Sequence, residues 1–323
     1  MMNNRFSATL ILLATLLCAP AFAIDSAHKH VSITQIVEHP SLDAVRQGVK
    51  DVLKEQGWKE DENLSWDYQS AQGSPATAAQ IAKKFAGDNP DVIVAIATPS
   101  AQSVVASARN SNIVFSAVTD PVGAKLVQSW DKPGPNVTGV SDLTPIKQHL
   151  ELVKQVMPQA ANIGIIYNPG ESNSVSLVRL IHQHSITLGL KVVEAVSPKS
   201  SDVQTAARSL LGKVEAIYLP TDNTVISAIE GIIKIAEQAN IPVFSGDTDS
   251  VKRGAVAALG FNYYEVGRKT GVMVNNILNG ASPKDIPVQG IDKTELFVNP
   301  GAAERMGITL APSLIASAKE VVK

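Results

Sequence analysis

Six short polar runs stand directly behind apolar runs in this chain, and their residue types suit the capture of a small charged molecule. They are Glu38-His39-Pro40-Ser41, Thr98-Pro99-Ser100, Thr119-Asp120-Pro121, Asn168-Pro169-Gly170-Glu171-Ser172-Asn173, Thr221-Asp222-Asn223 and Gly246-Asp247-Thr248-Asp249. Hydroxyls, amides and carboxylates dominate them, and each leads into a helical pattern. A helix N-terminus offers free N–H groups and partial positive charge to a carboxylate. An ammonium group taken out of water needs a carboxylate beside it, because an unpaired charge in a closed site is expensive. Together the runs describe a polar cleft suited to a zwitterion. Thr98 and Ser100 would face its carboxylate. Asp247, Asp120, Asp222 and Glu38 are candidate partners for its ammonium, with Asp247 favoured because it directly follows a strand. Each residue taken singly reads equally well as a helix N-cap, for which Ser, Thr, Asp and Asn are preferred. Tyr167, Tyr218, Phe261 and Tyr263 are available as an apolar wall or as plain core packing.

Other chemistries find no pattern to rest on. The sequence has no Gly-x-x-x-x-Gly-Lys-Ser/Thr phosphate loop, no Gly-x-Gly-x-x-Gly turn after a strand and no Gly-x-Ser-x-Gly nucleophile elbow. Asp247-Thr248-Asp249-Ser250 opens like a calcium loop, yet Lys252 stands where that loop needs glycine. His182 and His184 are two apart on a helical segment and diverge. The reading is therefore a binding protein rather than an enzyme, with no cofactor and no metal. Lys plus Arg number 28 against 30 Asp plus Glu, so there is no basic surplus to neutralise a phosphate backbone, and nucleic acid is not an expected partner.

The elements that must position these runs alternate regularly. Strands are expected over Val31–Val37, Leu64–Gln69, Val92–Ala97 and Ile113–Val118, each separated from the next by one helix. The first helix, from Ser41, has apolar residues at Leu42, Val45, Val49, Val52 and Leu53, the spacing of one buried stripe, and Gly57 stops it. Pro133, Gly134, Pro135 and Gly139 break the rhythm between Asp131 and Ser141, which reads as a crossing between lobes. The alternation then restarts with strands at Ile163–Tyr167, Lys191–Val196, Ala216–Leu219, Pro242–Phe244 and Ala255–Phe261. Helices are expected at Pro145–Met157, Ser172–Leu188, Asp202–Leu211, Thr224–Ala239 and Tyr264–Leu278. An extended piece at Glu295–Val298 and a short helix near Ser313–Val321 close the chain. Strand–helix alternation is the signature of parallel α/β sheets. The 323 residues allow two such lobes, at about 150 residues per domain. Ligands of open α/β sheets bind beyond the carboxyl ends of the strands, where the six polar runs fall.

Met1 to Ala23 carries one positive charge, Arg5, an apolar run from Ala8 to Cys18, and Ala21-Phe22-Ala23 at the cleavage position. That is the pattern of a cleaved signal peptide, with export to the periplasm as its consequence. Cys18 is the only cysteine. A lipid anchor there would want a small residue just upstream, and Leu17 is not small. No later segment has the roughly 20 apolar residues of a membrane span.

The residues also carry a family resemblance. Ala97-Thr98-Pro99-Ser100-Ala101-Gln102, Ala117-Val118-Thr119-Asp120-Pro121-Val122 and Pro135-Asn136-Val137-Thr138-Gly139-Val140-Ser141 resemble successive signatures of the ABC-transporter substrate-binding proteins of tryptophan/tyrosine-type uptake. Ile166-Tyr167-Asn168-Pro169 with Asn173-Ser174, the stretch from Gly254 to Gly280, and Asn299 with Ala302-Ala303 and Met306-Gly307-Ile308 continue the match in order. The resemblance implies a periplasmic-binding-protein fold of the first type: two Rossmann-like lobes, each a parallel sheet flanked by helices, joined by three hinge crossings near Gly139, Phe261 and Gly290. The lobes would comprise 24–139 with about 262–289, and about 140–261 with 290–323. It implies a monomer that captures an aromatic amino acid such as Phe, Tyr or Trp by hinge closure and hands it to an ABC permease driven by a separate ATPase. By position in that topology, Ser100, Ala117 and Thr119 would hold the carboxylate and Asp247 the ammonium. Glu38, His39, Thr98, Asp120, Asn168, Ser172, Asn173 and Asp222 complete the candidate site. A sensory module that presents its ligand to a membrane receptor is the alternative use of the same fold.

Overall fold

The computed structural model describes residues 28–291 and 293–322. The expected signal segment, with Cys18 inside it, lies outside them. The first part of the chain runs β1 (Lys29–Gln35), α1 (Pro40–Glu55), β2 (Leu64–Ser70), α2 (Pro75–Asp88), β3 (Val92–Ile96), α3 (Thr98–Ser107), β4 (Ile113–Ser116) and β5 (Val137–Val140). Its strands form one sheet in the order β2-β1-β3-β4-β5, parallel throughout. β3 is the apolar run Val-Ile-Val-Ala-Ile with every residue buried, as a parallel strand covered on both faces must be. Ser74 caps α2 by accepting from the Thr77 N–H at 3.2 Å.

The second part runs α4 (Ile146–Val156), β6 (Asn162–Tyr167), α5 (Ser172–Thr187), β7 (Lys191–Val196), α6 (Val203–Ser209), β8 (Ala216–Leu219), α7 (Asn223–Ile226), α8 (Ile229–Ala239), β9 (Val243–Ser245), α9 (Asp249–Lys252) and β10 (Ala257–Gly260). The long helix α10 (Tyr263–Leu278) follows, then β11 (Glu295–Val298), α11 (Pro300–Arg305), α12 (Pro312–Ser317) and β12 (Glu320–Val321). The second sheet has the order β12-β11-β10-β9-β8-β6-β7, parallel except for the antiparallel pair β10–β11. That reversal follows from the route: the chain leaves after β10, adds α10 to the first lobe and re-enters from the far side as β11.

Two cores result. One draws on residues between Val31 and Val140 and between Phe261 and Val288; the other on residues between Ile146 and Ala257 and between Val298 and Leu314. The chain thus passes between the lobes three times, after β5, after β10 and before β11. Three local expectations are corrected. The segment Asp131–Ser141 is not all crossing, because Val137–Val140 is the edge strand β5. Gly139 serves close packing there, since a Cβ at this position would collide with the Phe115 carbonyl. The helix expected over Thr224–Ala239 is broken at Ser227–Ala228 into α7 and α8. The last helix stops at Ser317, and β12 follows it.

The return of α10 to the first lobe depends on glycine. It lies against α1 so closely that a Cβ on Gly267 would overlap the Val45 carbonyl, and one on Gly271 would sit 2.8 Å from Val52 Cβ. Backbone cannot yield as a flexible side chain can. Gly267→Ala is expected to lower unfolding free energy by about 2–3 kcal/mol in urea denaturation. Gly87→Ala, in α2 with open space around the new methyl group, should instead leave stability unchanged or raise it by up to about 1 kcal/mol. Equal effects from the two would show that the helix contact is not the determinant.

Candidate functional site

The carboxyl ends of both sheets' strands face each other across a narrow gap. The first lobe lines it with His39, Ser41, Leu42, Ala117 and Thr119. The second supplies Asn173, Thr221, Asp222, Asn223, Ile226 and Asp247. Asp142 and Tyr263 complete it from the first and second crossings.

Backbone strain marks the first lobe's side of the gap. Ala97, after β3, has φ 72° and ψ 155°, and Ala117, after the neighbouring β4, has φ 53°. Both lie in regions that favour glycine, at a cost of about 1–3 kcal/mol each. The turn at Ala97 starts α3 abruptly, so its first N–H groups lack intrahelical acceptors. Ser100 is fully buried and Thr98 nearly so, and neither hydroxyl has a hydrogen-bond partner. Strained backbone and buried hydroxyls at a helix N-terminus place hydrogen-bond donors suited to an anion at this end of the first sheet.

Carboxylates dominate the other surfaces. Asp247, 2% exposed, accepts from Ser41 Oγ and Ser245 Oγ at 3.1 Å each, from the Ser250 N–H at 3.0 Å and from Ser250 Oγ at 2.6 Å. Asp222 caps α7 through the Val225 N–H at 2.8 Å and accepts from the Asn168 N–H and Ser174 Oγ at 2.6 Å. Burial, and then the neighbouring Glu171 carboxylate, push its pKa up to about 7. Glu171 is itself buried and binds the Asn223 and Thr224 backbone N–H groups at 3.2 and 3.0 Å. Asp142 accepts from Thr119 Oγ1 and Tyr263 OH, both at 3.0 Å, and burial raises its carboxyl above the usual range. His39 is the one lining group that can become cationic. Burial holds it neutral, with its pKa lowered to about 4 against the opposing pull of Asp247, and its Nδ1 has no partner.

Of the residues singled out in the sequence, His39, Ala117, Thr119, Asn173, Asp222 and Asp247 come together in the gap. Thr98 and Ser100, expected in the site, lie in the N-terminal turn of α3 and do not line the gap. The structure places four elsewhere. Glu38 is exposed and accepts from Tyr68 OH at 3.1 Å. Asp120 lies at the rim, binding the Gly123 N–H at 2.8 Å and Ser176 Oγ of the other lobe at 3.1 Å. Asn168 builds its own loop through Gly170 and Thr224. Ser172 opens α5, its hydroxyl unpaired, without lining the gap. Sequence reasoning missed Asp142. Recognising Val137–Val140 as a strand would have exposed it, because Asp142 sits just past that strand's carboxyl end.

Two hydrogen bonds join the lobes directly over the gap, Ser41 to Asp247 and Ser176 to Asp120. Arg179 adds a 3.9 Å approach to Asp120. The lobes are therefore closed on each other. No helix among the described residues is long and apolar enough to cross a membrane.

Residues 30–322 match the model of the family described as ABC transporter substrate binding protein. A "Tyrosine-binding protein" of Clostridioides difficile is 42% identical over 271 residues, covering 84% of this chain and 79% of that protein. A solved ABC domain in complex with L-Trp, from Streptococcus pneumonia, superposes with a TM-score of 0.88 at 32% identity, covering 92% of this chain and 100% of that one. A ligand-free, open substrate binding protein with adhesive properties, from Clostridium difficile, superposes with a TM-score of 0.68 at 40% identity, covering 91% and 99%.

Proposed function

The chain belongs to the ABC transporter substrate binding protein family, and from that membership we propose that it captures an aromatic amino acid, tyrosine or tryptophan, between its lobes. In this reading it is exported to the periplasm by the Met1–Ala23 signal, acts as a monomer, and delivers its ligand to a membrane permease driven by a separate ATPase. The observation that carries the ligand class is the make-up of the gap. It is lined by three carboxylates, Asp142, Asp222 and Asp247, and by neither lysine nor arginine, while unpaired Ser100 and Thr98 hydroxyls stand at the N-terminus of α3, just past the carboxyl end of β3. An ammonium suits the acids, and a carboxylate suits the helix end. Similarity to a tyrosine-binding protein and to a tryptophan complex supports an aromatic side chain.

Hinge closure is the mechanism proposed. The chain is more similar in sequence to the open relative, yet nearer in shape to the tryptophan-bound one. Sequence distance does not explain that order, and a difference in lobe rotation is the reading it supports. Ligand would favour the closed form because only there are both sets of contacts made.

Native mass spectrometry and calorimetric titration test the reading. Tyrosine or tryptophan should be released from the purified protein or bind at micromolar concentration or below, and raise the unfolding temperature. A protein stabilised only by sugars or other non-zwitterions would overturn it.

A further inference from the structure

Asp142 stands apart from the other acids of the gap. Asp247 receives four hydrogen bonds and Asp222 three, several of them from backbone N–H groups. Each of those side chains organises the loop it sits in. Asp142 receives two bonds from other residues, both from hydroxyls, Thr119 Oγ1 and Tyr263 OH. An ionised carboxylate has about four acceptor positions. At 5% exposure, water does not readily fill the remainder. A buried anion without a cation and with acceptor capacity to spare costs stability, so it needs a purpose beyond holding its own loop.

A second observation in the same gap points the same way. Asn173 is 3% exposed, and its Nδ2 is fixed by Glu171, Ser174 and the Thr221 carbonyl. That network orients its Oδ1 as an acceptor, and the Oδ1 has no donor. The gap is therefore lined by a carboxylate with acceptor capacity to spare and by an asparagine whose buried Oδ1 has no donor, and its lining supplies no cationic side chain to either. An ammonium group carries three N–H donors and one positive charge, and it answers both deficits.

We infer that Asp142 is a second carboxylate for the ligand's ammonium, working with Asn173 Oδ1 beside Asp247. This rests on the reading of the gap as an amino-acid site. It also ties the ligand to the hinge. Asp142 lies on the first crossing, and Tyr263, which donates to it, lies just past the second. An ammonium bound to Asp142 acts on the two segments about which the lobes turn, whereas one bound to Asp247 alone acts on the second lobe.

The test compares ligands with and without the amine on an isosteric variant. Wild type and Asp142→Asn are titrated with L-tyrosine and with 3-(4-hydroxyphenyl)propanoate, and with L-tryptophan and indole-3-propanoate. Asp142→Asn should weaken amino-acid binding at least 30-fold and shrink the preference for the amino acid over its amine-free analogue at least tenfold. Its unfolding temperature should stay level or rise, because a buried charge has been removed. Retained affinity, or equal loss for both members of a ligand pair, would overturn the inference; so would a lowered unfolding temperature with the amine preference intact. Failure of the wild-type protein to bind either amino acid would instead overturn the reading beneath it, and that is seen before any variant is titrated.

Discussion

Asp247→Ala is expected to weaken binding of an aromatic amino acid at least tenfold and to lower the unfolding temperature as well. The wild-type carboxylate is the acceptor for Ser41, Ser245 and both donors of Ser250. Serine hydroxyls can rotate to new partners, but the Ser250 N–H cannot. A buried donor left unpaired costs about 1–3 kcal/mol. The larger loss falls on binding. The Ser41 bond crosses between lobes, so the substitution deletes a contact that exists only in the closed form. In the proposed site it would also remove one of the charges that face the ligand, and breaking a buried ion pair typically costs about 3–5 kcal/mol. Calorimetry on the refolded variant separates the two effects. Affinity equal to that of the wild type would remove Asp247 from the site and leave it a loop-organising residue.

The closed form seen here is held by few direct bonds. Ser41–Asp247 and Ser176–Asp120 are hydrogen bonds of 3.1 Å, each worth on the order of 1 kcal/mol net. The Arg179–Asp120 approach is partly exposed and adds little. Against them stands the burial of Asp142, Asp222 and Asp247 with no cationic side chain lining the gap. In the proposed mechanism, a ligand ammonium would favour the closed form by adding a positive charge beside these acids.

Much of this architecture was legible because its signals are local. The stripe Leu42, Val45, Val49, Val52 and Leu53 is buried along α1, and the apolar run of β3 is buried on both faces. The rule that ligands lie beyond strand ends placed His39, Ala117, Thr119, Asn173, Asp222 and Asp247 around one gap. The failures have equally local causes. β5 has four residues just behind Pro133-Gly134-Pro135, so turn residues hid a strand, and with it Asp142. Glu38, Asp120 and Asn168 stand beyond strand ends as expected, but Tyr68, Ser176 and Thr224 engage them. Those partners are distant in sequence, and spacing alone cannot reveal them. The left-handed Ala97 and Ala117 were equally invisible, because alanine carries no signal for positive φ.

Buried titrating groups give the protein two opposed responses to acid, and variants should separate them. His39 and His149 are lowered by burial from 6.5 to about 4. Between those values the unfolded chain binds protons that the folded one refuses. Stability is therefore lost as pH falls from 6.5 toward 4, by about 1.4 kcal/mol per pH unit for each group. Asp222 acts in reverse. Its pKa rises from 3.8 to about 7, so the folded state holds a proton that the unfolded state has lost. Its contribution is gained as pH falls from 7 toward 4, with Asp142 and Asp249, also raised by burial, acting in the same sense. The wild-type profile is a sum of these slopes and should be shallower than the two histidines alone would make it. His149→Phe leaves the Tyr218 hydroxyl without its 2.6 Å partner and so costs stability at pH 7. It also deletes one histidine slope, so its deficit against the wild type should narrow as pH falls from 6.5 to 5. Asp222→Asn deletes the opposing slope, and its stability relative to the wild type should fall over the same interval. Urea midpoints at pH 7, 6 and 5 read both directions. A His149→Phe deficit that stays constant with pH would mean that this imidazole does not resist protonation in the folded state. Parallel profiles for Asp222→Asn and the wild type would mean that Asp222 is ionised throughout.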